Sequence, residues 1–408
     1  MTGSDALAEL RSRAAELDAA DPLAWCRAEF AGGVRAYLDG NSLGRPVRAA
    51  GPALADLVDG SWGTRLIRSW DEQWFEMPLV LGDRLGASVL GAAPGQTVVA
   101  DSTTVMLYKL LRAAVGAAPR GRDVVVADRE NFPTDRYVVD GVAAEAGLTV
   151  RWIDPDPAAG VTADDVAAAL GPDVAVVLLS HVSYKSGFVA DLAAVTELAH
   201  SHGALVLWDL CHSAGVLDVQ LDAAGVDLAV GCTYKFLCGG PGAPAFGYVA
   251  RRLQGAIVQP IPGWMGHADP FAMGLHYTPA AGMRRFISGT PPILGMVPLA
   301  EAIGLIERVG IVPIRDKSIL LGRFVIDAAD RLLAGRGVRV VSPRDDERRG
   351  GHVTLAHPGF REVVARLWEL DVVPDFRNPD GIRLGLAPLS TSFAEALDAV
   401  ATIAEVLP

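Results

Sequence analysis

Along the first two thirds of the chain, short apolar runs alternate with alanine-rich stretches of helical character, and this rhythm restricts the fold more than any other feature. VVVAD (124–128), VAVVLLS (174–180), ALVLWD (204–209) and VDLAVG (226–231) are apolar on both faces, as strands inside a parallel sheet must be. Between and around them, segments 136–147, 162–170 and 190–202 read as helices, the last ending at Gly203, a residue favoured just past a helix C-terminus. The fold class this predicts is α/β, with a large domain built on a mostly parallel sheet.

The rhythm changes after SGTPPILG (288–295), where two long amphipathic stretches (297–309 and 313–334) precede VRVV, HVTLAH, a helix near 360–369 and IRLGLAP. We expect an N-terminal helical arm over 1–30, a large domain over 31–295 and a smaller C-terminal α/β domain over 296–408. No apolar run approaches the roughly 18 to 20 residues needed to cross a bilayer, and the start, MTGSDALAEL, is acidic, unlike a leader. With 36 basic against 48 acidic residues the formal charge is −12, which repels a phosphate backbone and argues against nucleic acid. Cys26, Cys211, Cys232 and Cys238 show neither CxxC nor metal-ligand spacing, so no metal is expected and a reducing cytoplasm fits.

Only four of the basic residues are lysines: Lys109, Lys185, Lys235 and Lys317. Chemistry that needs an amine has no other side chain to use. Lys109 and Lys317 fall in helical patterns, where a solvated face is the expectation. Lys185 (SHVSYKSG) and Lys235 (GCTYKFLCGG) each follow a strand, and Lys235 also has an acid 26 residues before it, Asp209, directly after ALVLW. A lysine in a partly dry pocket at a strand end is suited to attack an aldehyde. Asp209 is either the N-cap of a following helix or the partner of a buried cation such as a pyridinium. His212 is either structural or a neighbour of that carboxylate. DSTT (101–104), ahead of a helical stretch, is a simple cap or an anion cradle at a helix N-terminus. With Phe132 as a stacking ring, the combination describes a pyridoxal phosphate pocket better than its members do singly. GGPGAPAFG reads as a close-packed turn and RDDERRG (344–350) as a solvated loop.

Taken in order, YLDGNSLG (37–44), LIRSW (66–70), DSTTV (101–105), NFPTD (131–135), SHVSYKSG, WDLCHSAG, GCTYK, GGPGAPAF, QPIPGWMGH (259–267), FISGTPPI (286–293) and IRLGLAPL (382–389) resemble the kynureninase family, pyridoxal phosphate enzymes of fold type I. The resemblance implies cleavage of kynurenine or a substituted kynurenine to an anthranilate and alanine, within tryptophan catabolism and the kynurenine pathway that leads to NAD biosynthesis. An aminotransferase or another lyase of the same fold, and more remotely a non-catalytic relative, are the alternatives. It implies that Lys235 carries the cofactor, Asp209 meets the pyridine nitrogen and Phe132 stacks on the ring. Ser102, Thr103 and Tyr234 would contact the phosphate, with Asp135, Ser180 and His212 completing the shell. Arg383 would hold the substrate carboxylate, and Trp264 and Thr290 would reach the pocket of a second subunit in a homodimer. Tyr234 is also the expected proton relay, and Trp70 is either an aryl contact or a core tryptophan. Met106, Cys238 and Ser390 depart from the family, which usually has Asn, Asn and Tyr there. Their lost hydrogen-bonding groups predict that kynurenine is accepted at least as well as its 3-hydroxy form.

Overall fold

The computed structural model describes residues 3–407. In chain order the strands are β1 (Ala36–Leu38), β2 (Thr97–Val99), β3 (Val124–Asp128), β4 (Thr149–Ile153), β5 (Val174–Ser180), β6 (Leu205–Asp209), β7 (Leu228–Gly231), β8 (Phe246–Val249), β9 (Arg339–Val340), β10 (His352–Ala356), β11 (Val372–Arg377) and β12 (Gly381–Gly385). Seven form one sheet in the order β2-β8-β7-β6-β5-β3-β4. Only β8 runs against its neighbours, pairing antiparallel with both β2 and β7. The four predicted apolar runs are the inner strands β3, β5, β6 and β7, of which nearly every residue is buried.

Helices Pro133–Ala146, Ala163–Ala169 and Leu192–Ser201 fall within one to three residues of the predicted segments. A Pro opens the first at N1, where its missing N–H has no helical partner to lose. Thr162 and Asp165 close a capping box on the second.

The second sheet has five strands in the order β1-β11-β12-β10-β9. Its edge strand β1 comes from near the N-terminus and pairs in parallel with β11. Helix Gly3–Ala20 lays Leu10 and Ala14 into the same core as Leu321, Phe324, Phe360 and Phe393. Helix Ile293–Val309 packs instead with the large-sheet core, through Met296, Leu299, Ala302 and Ile303. A division of the chain at residue 295 would pass through this helix.

Two expectations about charge do not hold. Lys109 and Lys317 are buried rather than solvated: Lys109 Nζ binds Asp101 at 2.5 Å and the Phe286 carbonyl at 2.8 Å, and Lys317 Nζ lies 2.7 Å from Asp21. Both sit on the inner side of their helices, where an ion pair offsets the cost of burying the ammonium. Nor is the charged run at 344–350 wholly solvated. Arg349 is buried, pairs with Asp346 and donates to the carbonyls of Pro343 and Arg344 at 2.8 and 2.9 Å. Next to it, Gly350 N–H donates to the Gly187 carbonyl at 2.8 Å, fastening the loop after β5 to the small sheet.

Candidate active site

In a parallel sheet the carboxyl ends of the strands face one side, and that is where ligands bind. Here the end of β3 leads to Asn131 and Phe132, β5 ends at Ser180, β6 ends at Asp209, and β7 leads into the turn that carries Tyr234 and Lys235. These four strand ends surround one cavity lined by Thr103, Thr104, Phe132, Thr134, Asp135, Ser180, Tyr184, Asp209, Cys211, His212, Tyr234 and Lys235.

Lys235 Nζ lies 3.0 Å from His212 Nε2 and 5.9 Å from the centroids of the Phe132 and Tyr234 rings. Close approach of the chain makes this placement possible: the backbone of Gly44 donates to the Tyr234 carbonyl at 2.8 Å, and a Cβ there would sit 2.3 Å from the Lys235 carbonyl. Phe132 and Tyr184 both line the cavity and meet at nearly a right angle, 89° between planes, with ring centroids 5.3 Å apart. Burial and the Lys235 charge push His212 well below the usual histidine range, so its ring is neutral.

No helix begins at Asp209. Its Oδ1 instead accepts the Cys211 N–H at 2.7 Å in a turn, and Ser180 Oγ donates to Oδ2 at 3.3 Å and to Asn131 Oδ1 at 2.7 Å. Asp135 is buried beside it. Burial, then the negative charge of Asp209, raises the Asp135 carboxyl well above the carboxylate range. Asp135 Oδ2, Asn131 Nδ2 and His212 Nδ1 are buried without hydrogen-bond partners. Asp135 lines the cavity, and a buried polar atom left unpaired there points to a polar ligand.

At the cavity rim stands helix Thr103–Ala117, and Ser102 at its N-cap makes no side-chain cap. Its first N–H groups, beside Thr103 and Thr104, therefore remain available to an anion. A carboxylate for a ring nitrogen, an aromatic face, an amine and an open helix N-terminus together fit pyridoxal phosphate.

Of the predicted residues the fold brings together Thr103, Phe132, Asp135, Ser180, Asp209, His212, Tyr234 and Lys235. Ser102 is exposed and lies outside the lining. Trp70 lines a separate apolar pocket of about 360 Å³ with Trp62, Trp74 and Pro291, and Trp264 lines another with His267 and Tyr277. Thr290 is exposed next to Pro291. Arg383 is buried and committed to Asp375 (Nε, 2.7 Å), the Tyr184 carbonyl (2.7 Å) and Ser42 Oγ (3.1 Å). Lys185 pairs with Glu130 and is absent from the lining.

None of Met106, Cys238 and Ser390 reaches the cavity lining. Met106 is buried in the core with its side chain against Gly247. Cys238 has a left-handed backbone, φ 54°. Asn tolerates that conformation better than most residues, so the difference there concerns the turn rather than the pocket. Thr104, Thr134, Tyr184, Cys211 and Asn131 were not singled out from sequence, although all stand in or beside the quoted blocks. His352, discussed below, had no sequence signal beyond its strand.

Strand order, cavity position and donor set together define a pyridoxal phosphate-dependent enzyme of fold type I. Residues 98–258 match the family described as Cys/Met metabolism PLP-dependent enzyme, and residues 314–403 the Kynureninase C-terminal domain. The chain is 41% identical over 405 residues to the kynureninase of Burkholderia pseudomallei (strain K96243), covering 97% of this chain and 95% of that one. Identity to the Pseudomonas fluorescens kynureninase is also 41%, over 400 residues and 96% and 94% of the two chains. The chain belongs to the kynureninase family. Among solved structures, the cystine C–S lyase C-DES in complex with cysteine persulfide superposes with a TM-score of 0.80 at 20% identity, over 92% of this chain and 99% of that one. A cysteine desulfurase from Thermococcus onnurineus NA1 gives 0.79 at 20% identity, over 91% and 94%. These two likenesses concern the fold.

Proposed function

We propose that the protein hydrolyses the Cβ–Cγ bond of L-kynurenine, or of a ring-substituted kynurenine, to an anthranilate and L-alanine. The observation that carries this reading is a single amine, Lys235, set against His212 at 3.0 Å in a cavity with Phe132 and Asp209, in a chain of the kynureninase family. Bound pyridoxal phosphate supplies an electron sink for the charge that develops on the substrate.

The chain's own groups have the following roles in this proposal. Lys235 Nζ holds the cofactor and, when free, takes the substrate's α-proton. Asp209, with Asp135 buried beside it, would face the ring nitrogen. Phe132 would stack on the ring, with Ser180 and His212 at its edges. Thr103, Ser102, Tyr234 and the helix N-terminus receive the phosphate. Burial raises the Tyr234 hydroxyl above its ordinary range, which keeps its proton in place at neutral pH for delivery to the departing group. Arg383, oriented by Asp375, offers an uncommitted Nη1–H to the substrate carboxylate.

We further propose a homodimer in which Trp264 and Thr290 complete the partner's cavity. Supporting this are Phe271, Met273 and Leu275, exposed apolar side chains grouped around Trp264. The free, buried state of all four cysteines supports a reducing cytoplasm, and among the described residues no helix is long and apolar enough to cross a membrane. A place in tryptophan breakdown follows from the substrate. With Met106, Cys238 and Ser390 outside the cavity, the argument for reduced discrimination against the 3-hydroxy substrate loses its footing.

Purified protein given kynurenine should release alanine and a fluorescent anthranilate without any keto acid. Keto-acid-dependent amino transfer with no cleavage would defeat the reading.

A further inference from the structure

The histidine that Lys235 touches, itself part of the cavity lining, faces a second one. His212 Nε2 is 3.0 Å from Lys235 Nζ, while its Nδ1 is buried without a partner. The His352 ring lies 5.7 Å from the His212 ring, centroid to centroid, with 61° between their planes. That separation lets a small rotation of either ring make a direct N–H···N bond. His352 is fully buried, at 0% exposure, and neither of its ring nitrogens has a hydrogen-bond partner. Two adjacent buried imidazoles with three unpaired nitrogens between them are costly unless they serve each other.

What lies beyond His352 gives the pair a direction. The main-chain carbonyl of Lys185 faces its ring, and that oxygen already accepts from Thr354 Oγ1 at 2.5 Å while a second lone pair remains. A carbonyl only accepts. Protons therefore order one way along the line: His352 donates to the Lys185 carbonyl, its other nitrogen accepts from His212 Nδ1–H, and His212 Nε2 is left as an acceptor toward Lys235 Nζ. Lys235, Arg383 and Arg377 are the cations facing both rings, and they oppose a second proton on either.

We propose that His352 is a positioning residue for the reaction: it fixes the Nδ1–H tautomer of His212, so that Nε2 accepts from Lys235 and holds the amine, once free, in one place with its proton. This rests on the role given to Lys235 above, but the state of His212 can be read without turnover.

The test is nitrogen-15 NMR of ring-labelled histidine in the full-length protein, with and without cofactor; the chain has only eight histidines to assign. The expected result is His212 in the Nδ1–H form in the parent. In His352→Phe that form should give way to a mixture or to the Nε2–H form, and kcat should fall about tenfold with KM little changed. His352→Gln, whose amide oxygen can still accept from Nδ1–H, should restore the tautomer and most of kcat. An Nε2–H parent overturns the proposal without any variant, and so does a His352→Phe protein whose His212 tautomer is unmoved. Loss of kynurenine cleavage with an Nδ1–H parent would count against the substrate reading instead.

Discussion

Lys109 and Lys235 belong to the same large-sheet layer, and their surroundings are opposites. The first is at 0% exposure, on the helix whose N-terminus opens into the cavity, and it is held by Asp101 and the Phe286 carbonyl. The second is half-buried, touches a neutral histidine and faces polar atoms that have no partners. A buried lysine held by an acid and a carbonyl is a fixture of the fold. One set beside unpaired polar atoms is held for a molecule that arrives later. By the same contrast, Lys109 braces Asp101, a non-glycine residue with φ 54°, at the point where the chain turns into the helix that presents Thr103 and Thr104.

The largest expected difference comes from exchanging the two lysines' fates. Lys235→Ala should lower cleavage by more than about a thousandfold and abolish borohydride-fixable cofactor on that residue, as mass spectrometry of the digested protein would record. Cofactor fixed on Lys185 in that variant would break the comparison. Lys109→Met should leave fixation at Lys235 intact while costing about 3 kcal/mol of stability, because Asp101 loses its buried partner; urea unfolding measures this. An unchanged unfolding midpoint would mean that Lys109 is not the brace described.

A smaller effect is expected at Asp135. The folded chain holds this proton more tightly than the unfolded chain, so its contribution weakens as pH rises through and above the ordinary carboxylate range. In the cofactor-free protein Asp135→Asn should therefore gain about 1 kcal/mol at neutral pH and flatten the decline in stability seen on going from acid to neutral. Stability curves of the two proteins against pH decide this, and parallel curves would show that Asp135 is ionised after all. Smallest is Cys238→Asn, which should stabilise the left-handed turn by about 0.5 to 1 kcal/mol with turnover unchanged. A thermal shift in the other direction would mean that the buried thiol contributes more by packing than the turn loses by strain.

The inner strands could be read because each is apolar on both faces, and a strand end that leads into Asp, Ser-His or Tyr-Lys marks the functional edge without knowledge of the packing. Strand β8 starts at the end of GGPGAPAFG and runs two residues past it, and the glycines that turn the chain mask the four residues that pair there. Lys109 and Lys317 illustrate a different limit: a helical pattern shows which side is apolar, but a single inward lysine is rescued by an acid elsewhere, Asp101 or Asp21, and no local signal announces that partner. Trp70, Trp264 and Thr290 came from the family resemblance, and in one chain they stand outside the cavity. His352 depends on two strands and a loop meeting, which sequence spacing does not encode.

Because the small sheet is closed by β1 and by helix Gly3–Ala20, its two halves leave the ribosome at opposite ends of synthesis. Leu10, Ala14 and Leu38 emerge first and find nothing to cover them until Phe324, Val372 and Phe393 have been translated. The large sheet can collapse in the meantime, since all seven of its strands lie between residues 97 and 249. Throughout that interval the amphipathic N-terminal helix is a waiting segment with an unpaired strand behind it, the state in which nascent chains are caught by chaperones or by one another. A tag or fusion placed at the N-terminus therefore bears on the last event of folding rather than the first.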